Sequence, residues 1–287
     1  MSLTKKQLKE RKLGIFGSEA SIIEGCHYKC DPFWLWNVKT GRHSDTVPDL
    51  MILRAGHECE NWVAKEYMRR FHVKVQKDNR TVWDMKHLYN GKPFMGGHID
   101  RKVVGQKKIL ECKISFTMNK WGKDGSGEIP PYYISQVKHY CSVYGYNLID
   151  LAVIHMVRSP ELRVHKFEFS DEELAHYREQ CYEFWKYVHD DVAPEVGKGA
   201  GTKEMLRVQY PMAEEGVIKV TNDKVDQAIR RYRKFKSAMK KLKDDQTLYG
   251  NTIMNHMEDS ESLLNAQGER IATYKNDTKG VRRLNIN

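Results

Sequence analysis

The chain is short of the residues that staple or rigidify small secreted folds, with six cysteines and eight prolines in 287 residues. Cys26, Cys30, Cys59, Cys112, Cys141 and Cys181 are too sparse for a disulfide scaffold, and reduced thiols are expected. No C-x-x-C pair occurs, and His27 between Cys26 and Cys30 does not complete a finger, so zinc is not expected. No apolar run approaches the roughly 18 residues of a membrane span. The opening MSLTKKQLKERK has no apolar segment of the kind a secretory signal needs. An intracellular protein without a membrane segment follows as the expectation. The twelve histidines show no H-E-x-x-H spacing, and neither an internal repeat nor a low-complexity tract is visible.

What the chain does have is positive charge. Forty-eight Lys and Arg against 38 Asp and Glu give a net charge of +10, which suits a polyanionic partner. With 40% hydrophobic and 30% charged residues the composition is ordinary for a globular protein and argues against wholesale disorder. At about 150 residues per domain, the length accommodates one large domain or two small ones.

The pattern along the chain predicts a basic helix over residues 1–13, broken by Gly14 and Gly17, and a second helical segment near Ser18 to Glu24. Trp62, Val63, Tyr67 and Phe71 fall at helical spacing and predict an amphipathic helix from Gly56 to Phe71. β-rich runs are expected at Phe71 to Val75 and from Phe94 to Phe116, the latter a hairpin turning at Gly105 and Gln106. WGKDGSGEIPP reads as a mobile loop, YYISQVKHYCSVYG as a helix, and NLIDLAVIHMV and RVHKFEFS as strands. Ser170 and Glu173 form a capping-box signature for a helix through about His189. This order of elements predicts an α/β or α+β core with a mixed sheet flanked by helices.

A Gly/Pro-rich stretch from Ala193 to Thr202 suggests a linker, which divides a core at 1–192 from an extension at 202–287. Within that extension Val225, Ile229, Tyr232, Phe235, Met239 and Leu242 predict a helix over 222–245, and its other face is basic. That face suits phosphates, or is simply solvated. RIATYKN and VRRLNI, around Asp277 to Gly280, predict a hairpin. Trp34 and Trp36 are assigned to the core rather than to base stacking.

The informative chemistry is Asp100 on one hairpin arm and Glu111-Cys112-Lys113 on the other. Two carboxylates on neighbouring strands can converge on one hard cation, which prefers oxygen ligands. Lys113 lies on the same strand face as Glu111, because side chains alternate with a period of two. An ammonium there orients a metal-bound water, whereas Cys112, turned to the other face, can offer only its backbone carbonyl. Ile109, Leu110 and Ile114 make this an apolar strand in which uncompensated carboxylates would be costly. Together these residues are a minimal kit for metal-assisted phosphodiester hydrolysis.

In chain order, R-K-L-G-I-F-G-S-E-A-S from Arg11, G-H-E-C-E at 56–60, G-H-I-D ending at Asp100, E-C-K at 111–113 and P-P-Y-Y-I-S-Q-V-K-H-Y at 130–140 resemble the lambda-exonuclease or YqaJ-type viral recombinase family, a branch of the PD-(D/E)XK nucleases. The resemblance covers about residues 8–170 and extends to the helix and hairpin tail. It implies a restriction-endonuclease-like core with that tail as an appendage. It further implies a Mg²⁺-dependent (or Mn²⁺-dependent) DNA exonuclease of phage or prophage origin in a bacterial cytoplasm. Such an enzyme would work from the 5′ end of linear duplex and leave a 3′ strand for an annealing protein, as a homo-oligomer that in the family can be a trimeric ring. By the same resemblance Asp100, Glu111 and the Cys112 carbonyl would hold the metal, with Glu60 as an additional acidic ligand. Lys113 and Gln136 would act on the nucleophile, Tyr140 would complete Q-x-x-x-Y, and Arg11 and Ser18 would contact the DNA phosphate. Tyr133, nearly one helical turn before Gln136, is placed to face the same DNA cleft. Too few cysteines flank the core for an iron–sulfur cluster. Where the family often has Gly after the metal-binding Asp, this chain has Arg101, which is expected to contact DNA or point outward. An endonuclease or single-strand nuclease with the same metal site, or a non-catalytic nucleic-acid-binding module, stays open at this point.

Overall fold

The computed structural model describes residues 9–44, 51–213, 215–216 and 222–286, apart from the side chains of residues 52 and 53. It divides into two compact units, Met1–Ala213 and Glu214–Asn287. The first is built on a five-stranded sheet in the order β1-β6-β7-β8-β9, formed by Val75–Lys77, Arg101–Val103, Lys108–Ser115, Leu148–His155 and Glu161–Glu168. Only β7 and β8 run parallel, so the sheet is mixed. Short ladders pair β2 (Val82–Trp83) with β5 (Gly96–Gly97) and β3 (Leu88–Tyr89) with β4 (Lys92–Pro93).

Alternation along β7 sorts its side chains into two layers. Leu110 and Cys112 pack with Val63, Ala64 and Tyr67 of α3 (Met51–Phe71). Ile109 faces the opposite way and packs with Val137, Tyr140 and Cys141 of α4 (Pro131–Tyr144). Helix α4 starts on Pro131 in its first turn and ends at Gly145, whose φ of 64° suits a residue without Cβ. The predicted capping box is present at α5 (Asp171–His189), where Ser170 Oγ accepts from Glu173 N–H at 3.1 Å. Trp36, in α2 (Pro32–Lys39), lies in the core with Leu35, and Trp34 packs against the same cluster. A short α1 (Ala20–Ile23) follows a 3₁₀ turn at Gly17–Glu19.

Several expectations need correction. The run from Phe71 to Val75 is not one strand: Phe71 ends α3, His72 turns the chain with a φ of 54°, and β1 begins at Val75. The Gly/Pro-rich loop is tied down rather than mobile. Trp121 is buried in it, Gly125 N–H donates to Val164 O at 3.1 Å, and Asp124 pairs with Arg70 and accepts from Val164 N–H at 2.7 Å. The stretch expected to be a linker is anchored too, since Asp31 accepts from Gly199 N–H at 2.8 Å and from Thr202 Oγ1 at 2.7 Å. The chain therefore stays with the first unit through α6 (Ala200–Gln209) up to Ala213. Of the basic helix expected over 1–13, residues 1–8 lie outside the described residues, and residues 9–11 are helical.

In the second unit the predicted helix runs on as α7 (Asp223–Met257), and the predicted hairpin is β11 (Arg270–Asn276) with β12 (Arg282–Ile286). A third strand, β10 (Ser262–Leu264), pairs with β11. No helix among the described residues is long and apolar enough to cross a membrane.

Asp31 also caps α2 through Trp34 N–H at 3.0 Å, so a single side chain serves three donors. Asp31→Ala is expected to lower unfolding stability by about 2 kcal/mol through the lost cap and the stranded buried hydroxyl, read as a shift in the denaturant midpoint. An unchanged midpoint would contradict the anchoring role.

Candidate active site

The site forms where a strand leaves the sheet. β6 pairs with β7 only at Arg101–Leu110 and Lys102–Ile109, so beyond Leu110 that edge of β7 has no β6 partner. Asp100 sits at the point of divergence, and its Oδ2 accepts the Cys112 N–H at 2.8 Å. The N–H and C=O of one strand residue point to the same side, so the Cys112 carbonyl is directed to the same edge as the Asp100 carboxylate. Arg101, contrary to expectation, neither points outward nor is free for DNA. It is buried, donates to Asp100 O at 2.6 Å, and is bonded to Asn61 of α3, so it fixes the backbone that carries Asp100.

Glu111 points toward α4 and is only 2% exposed. Its Oε1 accepts from Lys113 Nζ at 2.6 Å and from Gln136 Nε2 at 3.2 Å, whereas its buried Oε2 has no hydrogen-bond partner. Gln136 Nε2 also donates to the Tyr140 hydroxyl at 2.9 Å, one helical turn further on. Burial and the neighbouring Asp100 push the Glu111 carboxyl up to about 8, despite the pull of Lys113. Asp100 is raised by burial as well, with Lys113 opposing and Glu60 reinforcing the shift. Burial alone would discharge Lys113, but Glu111 and Asp100 override it and hold the ammonium firmly protonated.

Glu60 reaches this group through its field rather than by contact. Its charge raises the pKa of both Asp100 and Glu111, while its own Oε1 lies 2.9 Å from His57 Nδ1. Among the described residues no three His, Cys, Asp or Glu side chains stand close enough together to hold a metal ion by themselves. Asp100 is instead hydrogen-bonded to Cys112 N–H and Glu111 to Lys113. The unpartnered Oε2 of Glu111, the two elevated carboxyls and the hard oxygen donors fit a divalent cation bound with the Cys112 carbonyl and water completing its shell.

Arg11 and Ser18 are brought together, with Arg11 Nη2 donating to Ser18 Oγ at 3.2 Å. Behind them lies a buried ion pair that the motifs did not disclose. Lys39 Nζ reaches Glu19 Oε2 at 2.7 Å and donates to Gly14 O at 2.7 Å, and Arg11 also reaches Glu19. Burial opposes the Glu19 charge, but Lys39 and Arg11 outweigh it and hold the carboxyl below its usual range. Beside Ser18, Gly17 fits because an added Cβ would lie 2.6 Å from the Tyr140 ring. The Arg11–Ser18 pair is thereby joined to Tyr140, Gln136 and Glu111. His139, unassigned from sequence, is fully buried on α4 between Gly96 O and the Tyr177 hydroxyl, and burial lowers it to about 4. Only the tertiary partners of Lys39 and His139 reveal their roles.

The elevated Glu111 carboxyl has a thermodynamic consequence. Its native pKa of about 8 exceeds its ordinary 4.5, so between those values the folded chain holds a proton that the unfolded chain releases. Stability must then fall as pH rises through that window. In chelator, the melting temperature of the wild-type protein is expected to drop between pH 4.5 and 8, and Glu111→Gln to flatten that slope. An equal slope in the variant would contradict the assignment.

Known proteins resemble this chain in sequence and in fold. The family described as "YqaJ-like viral recombinase domain" matches residues 6–147. The Bacillus subtilis (strain 168) protein named "Uncharacterized protein YqaJ" is 29% identical over 255 residues, covering 88% of this chain and 77% of its own length. The fold is similar to that of the alkaline exonuclease LHK-Exo from Laribacter hongkongensis, with a TM-score of 0.54 at 15% identity over 73% of this chain and 100% of that one. LHK-Exo in complex with dAMP gives the same TM-score over 72% and 98% of the two chains. The mixed sheet between helices is thus the fold that LHK-Exo shares, and residues 6–147 are similar to the YqaJ-like viral recombinase domain.

Proposed function

We propose that this chain is a Mg²⁺-dependent (or Mn²⁺-dependent) exonuclease that degrades linear duplex DNA from the 5′ end and leaves a 3′ single strand for recombination. The observation that carries the reading is the buried Glu111 carboxylate, with one oxygen on Lys113 and Gln136 and the other unpartnered beside Asp100. Its context is a viral recombinase domain on a fold shared with an alkaline exonuclease. A divalent ion held by Asp100, Glu111 and the Cys112 carbonyl, with Glu60 as a further acidic ligand, supplies Lewis-acid stabilisation of charge developing on the phosphate oxygens.

The chain's own groups perform the remaining tasks. Lys113 stays an ammonium, so it orients the attacking water and stabilises the hydroxide form; it does not accept the proton itself. Gln136, fixed by Tyr140, presents its amide to the same oxygen of Glu111 and keeps that carboxylate aimed. Arg11 and Ser18 offer a guanidinium fork and a hydroxyl to the terminal phosphate. The +10 net charge draws the polyanion in. A single-strand annealing protein is the expected recipient of the 3′ strand, and a ring-shaped homo-oligomer, a trimer in the family's pattern, the expected assembly.

The test uses end-labelled linear duplexes carrying 5′-phosphate or 5′-hydroxyl, together with a covalently closed circle. With Mg²⁺ the linear 5′-phosphorylated duplex is expected to be degraded fastest and the circle left intact. Glu111→Gln and Lys113→Met are each expected to slow degradation at least ~100-fold, and Arg11→Gln to erase the phosphate preference. Cutting of the circle would instead favour the endonuclease reading.

A further inference from the structure

Four aromatic rings lead from Lys113 toward solvent. Lys113 Nζ lies 5.6 Å from the Tyr133 ring centroid. Tyr133 stands 4.5 Å from Tyr132, Tyr132 6.0 Å from Tyr28, and Tyr28 4.6 Å from His27 with the two planes 28° apart. The buried Trp121, 5.4 Å from Tyr133, supports the inner end. At the outer end Tyr28 is 79% exposed.

Such exposure in a mobile loop would mean little, but this loop is held from several sides. Cys26 and His27 N–H groups both donate to Ser21 O, at 2.9 and 3.0 Å. Cys26 Sγ lies 3.2 Å from Ser135 Oγ of α4, and Lys29 O accepts from Gly201 N–H at 2.9 Å. His27 Nδ1 accepts the Cys30 N–H at 2.8 Å, which fixes the ring on which Tyr28 stacks. A large ring is thus presented to solvent on a pre-ordered backbone, so that binding through it costs little ordering entropy.

We propose that Tyr28, Tyr132 and Tyr133, backed by His27, form a stacking wall for the unpaired nucleobases of the strand being cut. The inference rests on the nuclease reading above and adds its ligand chemistry. Glu111 is buried, and terminal bases that part where a duplex end meets so enclosed a site lose their stacking neighbours. Aromatic faces restore that stacking without regard to sequence, since every base has a π-face. The wall begins at the side chain that pairs with Glu111 and ends at the exposed Tyr28, so it lines a path between solvent and the site for the strand being cut.

Binding of the full-length protein in EDTA to a labelled hairpin duplex with three unpaired 5′-nucleotides tests this, against the same hairpin with three abasic residues in their place. Wild type is expected to bind the abasic form about tenfold more weakly, the value of roughly one good stack. Tyr28→Leu and Tyr132→Leu are expected to shrink that gap to about twofold or less by lowering affinity for the base-bearing form only, whereas Tyr28→Phe keeps it. Melting curves establish that each variant is folded. No gap in wild type, or an undiminished gap in both leucine variants, would overturn the wall. Failure of the nuclease reading looks different: wild type with Mg²⁺ would leave blunt duplex undegraded while the binding gap persisted.

Discussion

A carboxylate buried between a lysine and a second carboxylate is the interaction on which the rest of this site depends. Charging Glu111 carries a cost that only a cation can offset, and Lys113 offsets part of it. The remainder appears as the unpartnered Oε2 and as the upward shift shared with Asp100. Ionising such a carboxylate weakens the fold unless a cation offsets the charge. The side chains of Gln136, Tyr140 and Tyr133 are disposed around that one carboxylate and its lysine.

The backbone prepares this arrangement. Because β6 leaves β7 after Leu110, one edge of β7 is released in the middle of an otherwise buried strand. The Asp100 side chain takes the Cys112 N–H that the ladder relinquishes, and Arg101 locks the divergence to α3. On the other side of α4, Gly17 lets the Arg11–Ser18 turn close onto Tyr140. Two parts of the chain distant in sequence therefore converge on one helix, which links the Arg11–Ser18 pair to Glu111.

How much of this was legible in the sequence follows from the range of the interactions. The hairpin, the E-C-K alternation, the Q-x-x-x-Y turn and the Ser170 capping box are local patterns, and the sequence pattern placed each of them correctly. Arg101 was misjudged because its partner Asn61 lies 40 residues away in the chain. The Trp121 loop and the 193–202 stretch have the composition of free segments, yet Asp124 and Asp31 bind them through contacts that no window of sequence contains. Glu60 acts on Asp100 through its charge, while its Oε1 lies 2.9 Å from His57 Nδ1, a neighbour on its own helix.

Whether Asp100 and Glu111 hold a divalent cation between them is decided by calorimetric titration of the protein with Mn²⁺ at pH 7. Glu111, with its carboxyl near 8, must surrender a proton when the cation binds. The binding heat is expected to change with the ionisation enthalpy of the buffer, and binding to be lost in Asp100→Asn and Glu111→Gln. Binding with no proton release, or binding undiminished in both variants, would contradict it.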